Sequence, residues 1–204
     1  RSQRSNHGNN VRTGATFDPY ETSANTPQVG LLYKLTDEIS VYGSYSESFV
    51  PNNDDLLDPD GNIIGPAKPV VGKGYDLGLK TALLNGKLSG TVSVYQINNT
   101  GIIQTIAAFD SDGNTSGRSV QTGEQQSQGV EFDVVISPVP HWQTYLSYSH
   151  QNPIYYKNPE DTALEGILLQ SATTDNASVW TKYKFTKGPL KGAYIAGGAT
   201  WQGF

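Results

Sequence analysis

The sequence predicts an all-β fold, namely part of an antiparallel, up-and-down transmembrane β-barrel. Three observations indicate this class. Apolar residues recur at every second position in about eight segments of roughly ten residues, the length that a tilted strand needs to cross a bilayer. The connections between these segments alternate between short and long along the chain. Aromatic residues gather near the segment ends, like the interfacial girdles of membrane barrels, at Tyr33, Phe49, Tyr75, Trp142, Phe185 and Trp201.

The composition excludes several functional classes. Charged residues form 16% of the 204-residue chain and the net charge is −5, which argues against a nucleic-acid partner. The chain has no Cys, so disulfides, thiol catalysis and thiolate metal sites are excluded within it. No run approaches the roughly 18 apolar residues of a transmembrane helix. The mean hydropathy of −0.45 is compatible with a membrane barrel, because only half of the side chains in each strand are apolar.

The first half of the chain opens with a loop and continues with four predicted strands. Residues 1–26 are rich in Ser, Asn, Thr and Gly and are predicted to form an extracellular loop. The dipeptide Asn85-Gly86 is a strong signal for a two-residue hairpin between the third and fourth strands. The alternation blurs after Gln96, which suggests a bulge. The four strands are predicted at 29–35, 39–49, 75–83 and 88–95.

The next strand has an unusual composition. Its first part, QTGEQQSQG, lies between Val120 and Val130 and contains no apolar side chain. In its second part, apolar residues at 130, 132, 134 and 136 alternate with Glu131 and Asp133. In a membrane barrel the polar part would extend beyond the bilayer. The apolar stripe would then face lipid, and the two carboxylates would face a wet lumen, where a charge costs little.

Three further strands complete the pattern, at 142–148, 177–185 and 194–204. In an up-and-down meander, alternate connections lie at the same end of the sheet. The short turns are therefore predicted at the periplasmic end and the long loops at the extracellular end. The turns are 36–38, 84–87, 137–141 and 186–191, and the loops are 50–73, 107–118 and 152–175.

Several consecutive segments resemble one family, the TonB-dependent siderophore receptors of the bacterial outer membrane. The resemblance runs through most of 26–204 in family order, so it is far more specific than one motif. The segments are TPQVGLLYKLTDEISVYGSYSESFVP (26–51), GYDLGLKTALLNGKLSGTVSVYQI (74–97), VQTGEQQSQGVEFDV (120–134) and WTKYKFTKGPLKG (180–192).

The resemblance implies a role and also a departure from the family pattern. It implies an outer-membrane receptor, not an enzyme, that imports ferric siderophores with energy from the TonB complex and needs no resident cofactor. Receptors of this kind have about 22 strands and a plugged lumen. Neither a plug domain nor a TonB-contacting segment is recognisable here. The chain is therefore expected to be a C-terminal-half fragment in which 27–204 form about eight of these strands, surrounded by outer-membrane lipid.

The candidate ligand residues are loop aromatics, because a phenol or a phenyl ring can stack on a chelate and a hydroxyl can donate a hydrogen bond. Tyr155 and Tyr156 are the leading pair, and adjacent residues of an extended segment should point in opposite directions, so that one of them faces a ligand. The other loop aromatics are Phe17, Tyr20, Phe49 and Phe109, of which Phe49 and Phe109 are retained as candidates.

No metal or catalytic site is predicted. The sequences DPDGN (58–62) and DSDGN (110–114) resemble the start of calcium loops. However, Pro69 and Gln121 occupy the position of the final bidentate Glu, so both are interpreted as Asp/Gly turns. The histidines at 7, 141 and 150 are scattered and match no catalytic motif.

Two alternatives to the receptor fragment remain at this stage. A complete eight-stranded membrane barrel with a structural or adhesion role would have a side-chain-filled interior and would pair its first strand with its last. A soluble β-sandwich or solenoid-like binding module would bury its apolar stripes between two sheets. Alternation of apolar residues does not distinguish a sandwich core from a lipid-facing surface.

Overall fold

The computed structural model describes residues 2–4, 21–52, 54–170 and 172–203. This part of the chain is almost entirely β-structure, with one short 3₁₀ turn at Thr162–Leu164. No helix in it is long and apolar enough to span a membrane. The strands are β1 (Ser2–Arg4), β2 (Glu21–Ser23), β3 (Gln28–Lys34), β4 (Ile39–Val50), β5 (Asp55–Leu57), β6 (Ile63–Pro66), β7 (Val70–Leu83), β8 (Leu88–Phe109), β9 (Thr115–Ile136), β10 (Trp142–Lys157), β11 (Asp175–Lys184) and β12 (Tyr194–Gly203).

Eight of these strands form one antiparallel sheet in the order β12-β11-β10-β9-β8-β7-β4-β3. Within this sheet, each strand pairs with the next sheet strand along the chain. The small β5–β6 hairpin is inserted between β4 and β7 and forms a separate two-stranded sheet. The predicted up-and-down meander is confirmed. The sheet is open within the described residues, because β3 pairs only with β4 and β12 pairs only with β11. The closing pair of a complete eight-stranded barrel is therefore not formed here.

The short and long connections lie at opposite ends of the sheet, as predicted. At the end that we call the lower end, Ser137 N donates to Lys87 O at 2.6 Å and Lys184 N donates to His141 O at 2.9 Å, which joins neighbouring short turns. At the upper end, the Asp60 carboxylate accepts a hydrogen bond of 2.5 Å from Ser111 N. The Asn85-Gly86 turn therefore lies far from the DPDGN loop.

The predicted lengths of the upper segments were wrong. β8 and β9 have 22 residues each, so the connection between them shrinks from the predicted 107–118 to 110–114. The backbone ladder continues through the polar segment because backbone pairing does not require apolar side chains. Register shifts between Thr100 and Gln104, next to Gly101 at φ 78°, explain why the alternation blurs after Gln96.

The other two long loops are also partly ordered into strands. The predicted loop 50–73 contains the β5–β6 hairpin and the start of β7 at Val70. The predicted loop 152–175 begins after β10 ends at Lys157. At its upper end the sheet therefore continues well beyond the apolar part of the strands.

The sheet has one apolar face, and no other part of the described chain packs over it. Register places Phe132 in line with Val92 on β8 and with Tyr148 on β10. Phe132 is 39% exposed, and Leu31 of the same face is 77% exposed. Among the described residues, Ala67 is the one hydrophobic residue that is buried. The soluble sandwich is therefore not supported, because its apolar stripes would be covered by a second sheet.

The apolar face has the height of a membrane band. On β7 its outward-facing residues run from Leu83 to Tyr75, and a charged residue, Lys73, follows. Eight residue steps of about 3.3 Å, tilted by about 40°, correspond to roughly 20 Å of height, close to the ~25 Å band of outer-membrane barrels. On β9 the same face changes from Val130 to Gln128 at its upper edge.

The opposite face is polar and carries small side chains. Register places Glu131 in line with Ser93 and Ser149, and Asp133 in line with Thr91 and Ser147. The predicted separation of the four apolar residues 130, 132, 134 and 136 from the two carboxylates onto opposite faces of β9 follows from this register.

Candidate functional site

A large recess at the upper end lies where β8, β9 and β10 meet the segment that follows β10. Its volume is about 790 Å³. One wall comes from 102–107 of β8, and the facing wall comes from Tyr155 and from 158–164. The lining is mixed, with Ile102, Ile103, Ile106, Ala107 and Leu164 beside Gln104, Thr105, Arg118, Gln125, Tyr155, Asn158, Glu160 and Asp161.

The segment 158–165 is held in place by its own polar contacts. Asn158 is only 3% exposed. Its backbone N donates to Glu165 Oε1 at 2.9 Å, and its side-chain Oδ1 accepts from Asp161 N at 3.1 Å. Asp161 in turn caps the 3₁₀ turn by accepting from Ala163 N at 3.2 Å. The wall of the recess is therefore a folded element and not an open loop.

Two side chains give the recess a polar character. Arg118 Nη2 lies 3.3 Å from Glu160 Oε2, which ties β9 to the folded segment. Gln104 Oε1 is buried and has no hydrogen-bond partner. A buried acceptor of this kind normally has a donor from protein, water or ligand. The recess can thus offer both a cationic donor and a free acceptor to a polar ligand.

Tyr155, the leading candidate from the sequence, lines this recess. Its backbone is fixed on both sides, since Tyr155 N donates to Ile167 O at 3.0 Å and Tyr155 O accepts from Gly166 N at 2.8 Å. It pairs with Gln125, six residues before Glu131 on β9, so Tyr155 and Glu131 belong to the same polar face of the sheet.

The other candidate aromatics are not gathered in the recess. Tyr156 sits at a register shift between Tyr155 and Lys157, and the Lys157 ammonium lies 5.7 Å from its ring centre. This shift interrupts the alternation from which opposite orientations of the two phenols were expected. Phe109 ends β8 and is 72% exposed. Phe49 pairs with Val71 and belongs to the apolar face. Phe17 and Tyr20 lie outside the described residues.

Glu131 and Asp133 line a smaller recess lower on the polar face, of about 300 Å³. Around them lie hydroxyl groups, of which Ser147 Oγ and Ser178 Oγ are 2.7 Å apart. This surface is rich in hydrogen-bonding groups, in contrast to the apolar face.

The two Asp/Gly sequences form the same turn twice. Asn62 N donates to Asp58 Oδ1 at 2.7 Å and Asn62 Nδ2 donates to Asp58 Oδ2 at 3.0 Å; Asn114 makes the equivalent bonds to Asp110 at 2.7 and 3.2 Å. These bonds lower the pKa of both carboxyl groups. In each turn the first carboxylate is already engaged by protein donors, and no metal-binding group of three or more His, Cys, Asp or Glu side chains occurs in the described part of the chain.

The structure forms two polar clusters that the sequence analysis did not predict. The first is the contact of Arg118 with Glu160, 42 residues apart. The second joins His150 Nδ1 to Asp175 Oδ1 at 2.9 Å, and Asp175 also accepts from Tyr148 at 2.7 Å. Both depend on which strands become neighbours. The available signal was the polar run before Val130, which indicated a wet upper segment without indicating its partners.

These features together define a class of protein. An open antiparallel sheet with an uncovered apolar band, a polar opposite face and loops at one end is a section of the wall of a large outer-membrane β-barrel. In agreement, residues 1–204 match the family described as TonB dependent receptor-like, beta-barrel. The chain belongs to this family, whose barrels lie in the outer membrane.

Several similar proteins are named as receptors for ferric siderophores. The ferric-pyoverdine 358 receptor of Pseudomonas putida is 29% identical over 92% of this chain and 21% of its own length. The ferrichrome outer membrane transporter/phage receptor of Escherichia coli K12 is 29% identical over 94% of this chain and 24% of its own length. The structure of FauA, the alcaligin outer membrane receptor of Bordetella pertussis, superposes with a TM-score of 0.63 at 26% identity, covering 93% of this chain and 31% of FauA. The chain thus spans about a fifth to a quarter of the length of these two curated relatives.

Proposed function

We propose that the receptor containing this chain binds ferric siderophores at the upper, extracellular end and imports them with energy from the TonB complex. The observation that carries this proposal is the family match over residues 1–204, with relatives named as receptors for pyoverdine and ferrichrome. The same relatives are transport receptors, which supports a protein that is not an enzyme. The ferric siderophore is its cargo, and we propose no resident cofactor.

The polar face, in this proposal, lines the lumen and the apolar face contacts lipid. Glu131 and Asp133 then face the interior. Support comes from the uncovered apolar band on the other side of the same strands, where a carboxylate would be costly.

We further propose that the recess of about 790 Å³ contributes to the siderophore site, with Tyr155 as its leading residue. Support comes from its position on the polar face near the loops, from the phenol and guanidinium donors of Tyr155 and Arg118, and from the unpaired acceptor of Gln104. Tyr156, Phe109 and Phe49 remain candidates, of which Phe49 lies on the apolar face.

The test measures ferric siderophore binding by the intact receptor with Tyr155→Ala and Tyr156→Ala made singly. Loss of a stacking or hydrogen-bonding contact should weaken binding by up to about tenfold in the variant whose phenol faces the ligand. Tyr75→Ala is the control, because Tyr75 lies on the apolar face. Unchanged affinity in both variants would remove the site assignment, and failure of the parent receptor to bind any ferric chelate would remove the transport function.

A further inference from the structure

The recess of about 790 Å³ that Tyr155 lines, which we call the Tyr155 recess, has an acidic lining. Of the described residues around it, Arg118 is the one with a positive charge, and Glu160 and Asp161 are negative. Arg118 Nη2 lies 3.3 Å from Glu160 Oε2, so the positive charge is balanced within the wall. The lining therefore presents a net negative charge to a ligand.

The segment that forms the outer wall of the Tyr155 recess adds to this charge. Glu165 Oε1 accepts from Asn158 N at 2.9 Å, which places a third carboxylate beside a lining residue. Residues 158–170 contain no Lys or Arg, and the facing wall, 102–107, contains no charged residue. Lys157 Nζ lies 3.1 Å from Glu124 Oε1, so the lysine that precedes the segment is balanced elsewhere.

Two acidic turns lie at the same end of the sheet. The segments 54–62 and 110–114 together contain six Asp and no Lys or Arg. Asp60 accepts from Ser111 N, which holds the two turns together. Asp110 follows the lining residue Ala107 by three positions, about 10 Å along the chain. The negative charge of the Tyr155 recess therefore continues into the loops next to it.

Ferric chelates differ in charge according to the groups that bind the metal. A hydroxamate contributes one negative charge, so iron(III) held by three hydroxamates is neutral. A catecholate contributes two, so iron(III) held by three catecholates keeps three excess negative charges. A surface of one sign repels a ligand of the same sign and lowers its local concentration. An acidic recess therefore discriminates between these two classes of chelate.

We propose that the Tyr155 recess selects ferric chelates without excess negative charge, of the tris-hydroxamate class, and disfavours ferric tris-catecholates. This inference rests on the proposed function, because it takes the recess as part of the siderophore site. The uncharged lining suits such a chelate. Thr105, Gln125 and the Tyr155 phenol offer hydrogen bonds to its amide groups, and Ile103 and Ile106 offer apolar contact to its carbon chains.

The test titrates the intact receptor with two synthetic ferric chelates built on one tripodal scaffold, one with three hydroxamates and one with three catecholates. The measured quantity is the ratio of catecholate to hydroxamate affinity, in which shared contacts cancel. Glu160→Gln combined with Asp161→Asn should raise this ratio about twentyfold at an ionic strength of about 0.01 M and about threefold at about 0.15 M, for charges about 10 Å from the metal. Both substitutions keep the oxygens that accept from Arg118 and from Ala163 N, so the wall stays folded.

The matched control is Asp37→Asn combined with Glu38→Gln, which changes the net charge equally at exposed positions of the lower end and should leave the ratio unchanged. In the parent receptor, added salt should itself raise the ratio, because screening weakens the repulsion. Three results would each overturn the selectivity: tighter binding of the tris-catecholate by the parent, a ratio that ignores the recess substitutions, or an equal response in the control. Binding of neither chelate by the parent would remove the proposed function itself.

Discussion

The side chain of Val134 lies on the apolar face, opposite Gly90 on β8 and Leu146 on β10, with no other part of the described chain over it. We propose that lipid covers this position in the barrel. Its neighbour Asp133 lies on the other face, beside Ser147. Two adjacent residues thus experience environments that differ in their tolerance of charge.

A charge at residue 134 should therefore destabilise the barrel much more than a charge at residue 133. Val134→Arg should lower the free energy of unfolding in lipid vesicles by about 2–4 kcal/mol if the residue lies near the bilayer midplane. Asp133→Arg is the matched control, with an expected effect of less than about 1 kcal/mol. Equal stability of Val134→Arg and the parent protein would contradict the orientation of β9.

Gly129 is required by the close packing of its neighbours. A Cβ atom there would lie 2.5 Å from the His150 carbonyl oxygen and 2.7 Å from the Tyr95 ring. Gly129→Ala should cost about 1–3 kcal/mol, because backbone and ring must move. Gly197→Ala is the control, since nothing lies within 4 Å of its added Cβ. Denaturant unfolding of both variants measures this difference in the free energy of unfolding. Equal stability of the two variants would show that Tyr95 packs only loosely over Gly129.

Among the elements, the two Asp/Gly turns form a connected pair. Asp60 of the β5–β6 turn accepts from Ser111 of the β8–β9 turn, and the Ser116 hydroxyl donates to the Pro59 carbonyl. Each turn is stabilised internally by an ionised Asp and an Asn four residues later. The pair links two loops that are distant in sequence.

The pKa of the two carboxyl groups reports on these turns. The Asn62 side chain and then its backbone lower the pKa of Asp58, and the Asn114 backbone and then its side chain lower that of Asp110. A carboxyl group whose pKa is lower in the folded state contributes its full stabilisation at a pH above its unfolded-state pKa. This stabilisation is lost as the pH falls through the folded-state pKa. The turns should thus remain intact at neutral pH and weaken below about pH 4.

Substitution of Asn62 tests whether the two turns respond independently of each other. In Asn62→Ala the pKa of Asp58 should rise toward its ordinary value, because the amide donor is lost, while that of Asp110 should stay lowered. Carboxyl-carbon NMR titration of aspartate-labelled receptor measures both groups in one sample. A parallel rise of both pKa values would show that the turns respond through their mutual contact and not through their own Asn.

The sequence predicted the lower halves of the strands well and their upper halves poorly. At 130–136 one face is apolar and the other is polar, so the pattern has a period of two. At 121–128 both faces are polar, so the pattern disappears although the strand continues. The upper recess was beyond sequence reasoning for a related reason. Its walls, 102–107 and 158–164, come together only through the register of three strands and the fold of the segment around Asn158.

On the scale of the whole molecule, we propose that the two ends of the sheet are exposed to different compartments. In this proposal the 110–114 turn belongs to the extracellular end and the segment 185–193 to the periplasmic end. This stretch of chain contains no Cys, so a single introduced thiol here is unique within it.

Labelling of intact cells tests this orientation. Asp112→Cys in the full receptor should react with a membrane-impermeant maleimide, and Lys187→Cys should react only after the outer membrane is permeabilised. Both residues are exposed, so reactivity reports on compartment and not on burial. The reverse pattern of labelling would invert the assignment of the ends and would remove the extracellular position of the Tyr155 recess.

The length of the β8–β9 hairpin determines how far its tip extends from the apolar band. From Ile97 to Phe109 the hairpin continues beyond the apolar band by about 40 Å of strand. Its tip carries the exposed Phe109 ring and the Asp110–Asn114 turn, which is held by its own hydrogen bonds and by Asp60. We propose that this tip is a conformational epitope of the intact receptor. Antibodies selected against the folded hairpin should then bind living cells, whereas antibodies against the lower turns should not.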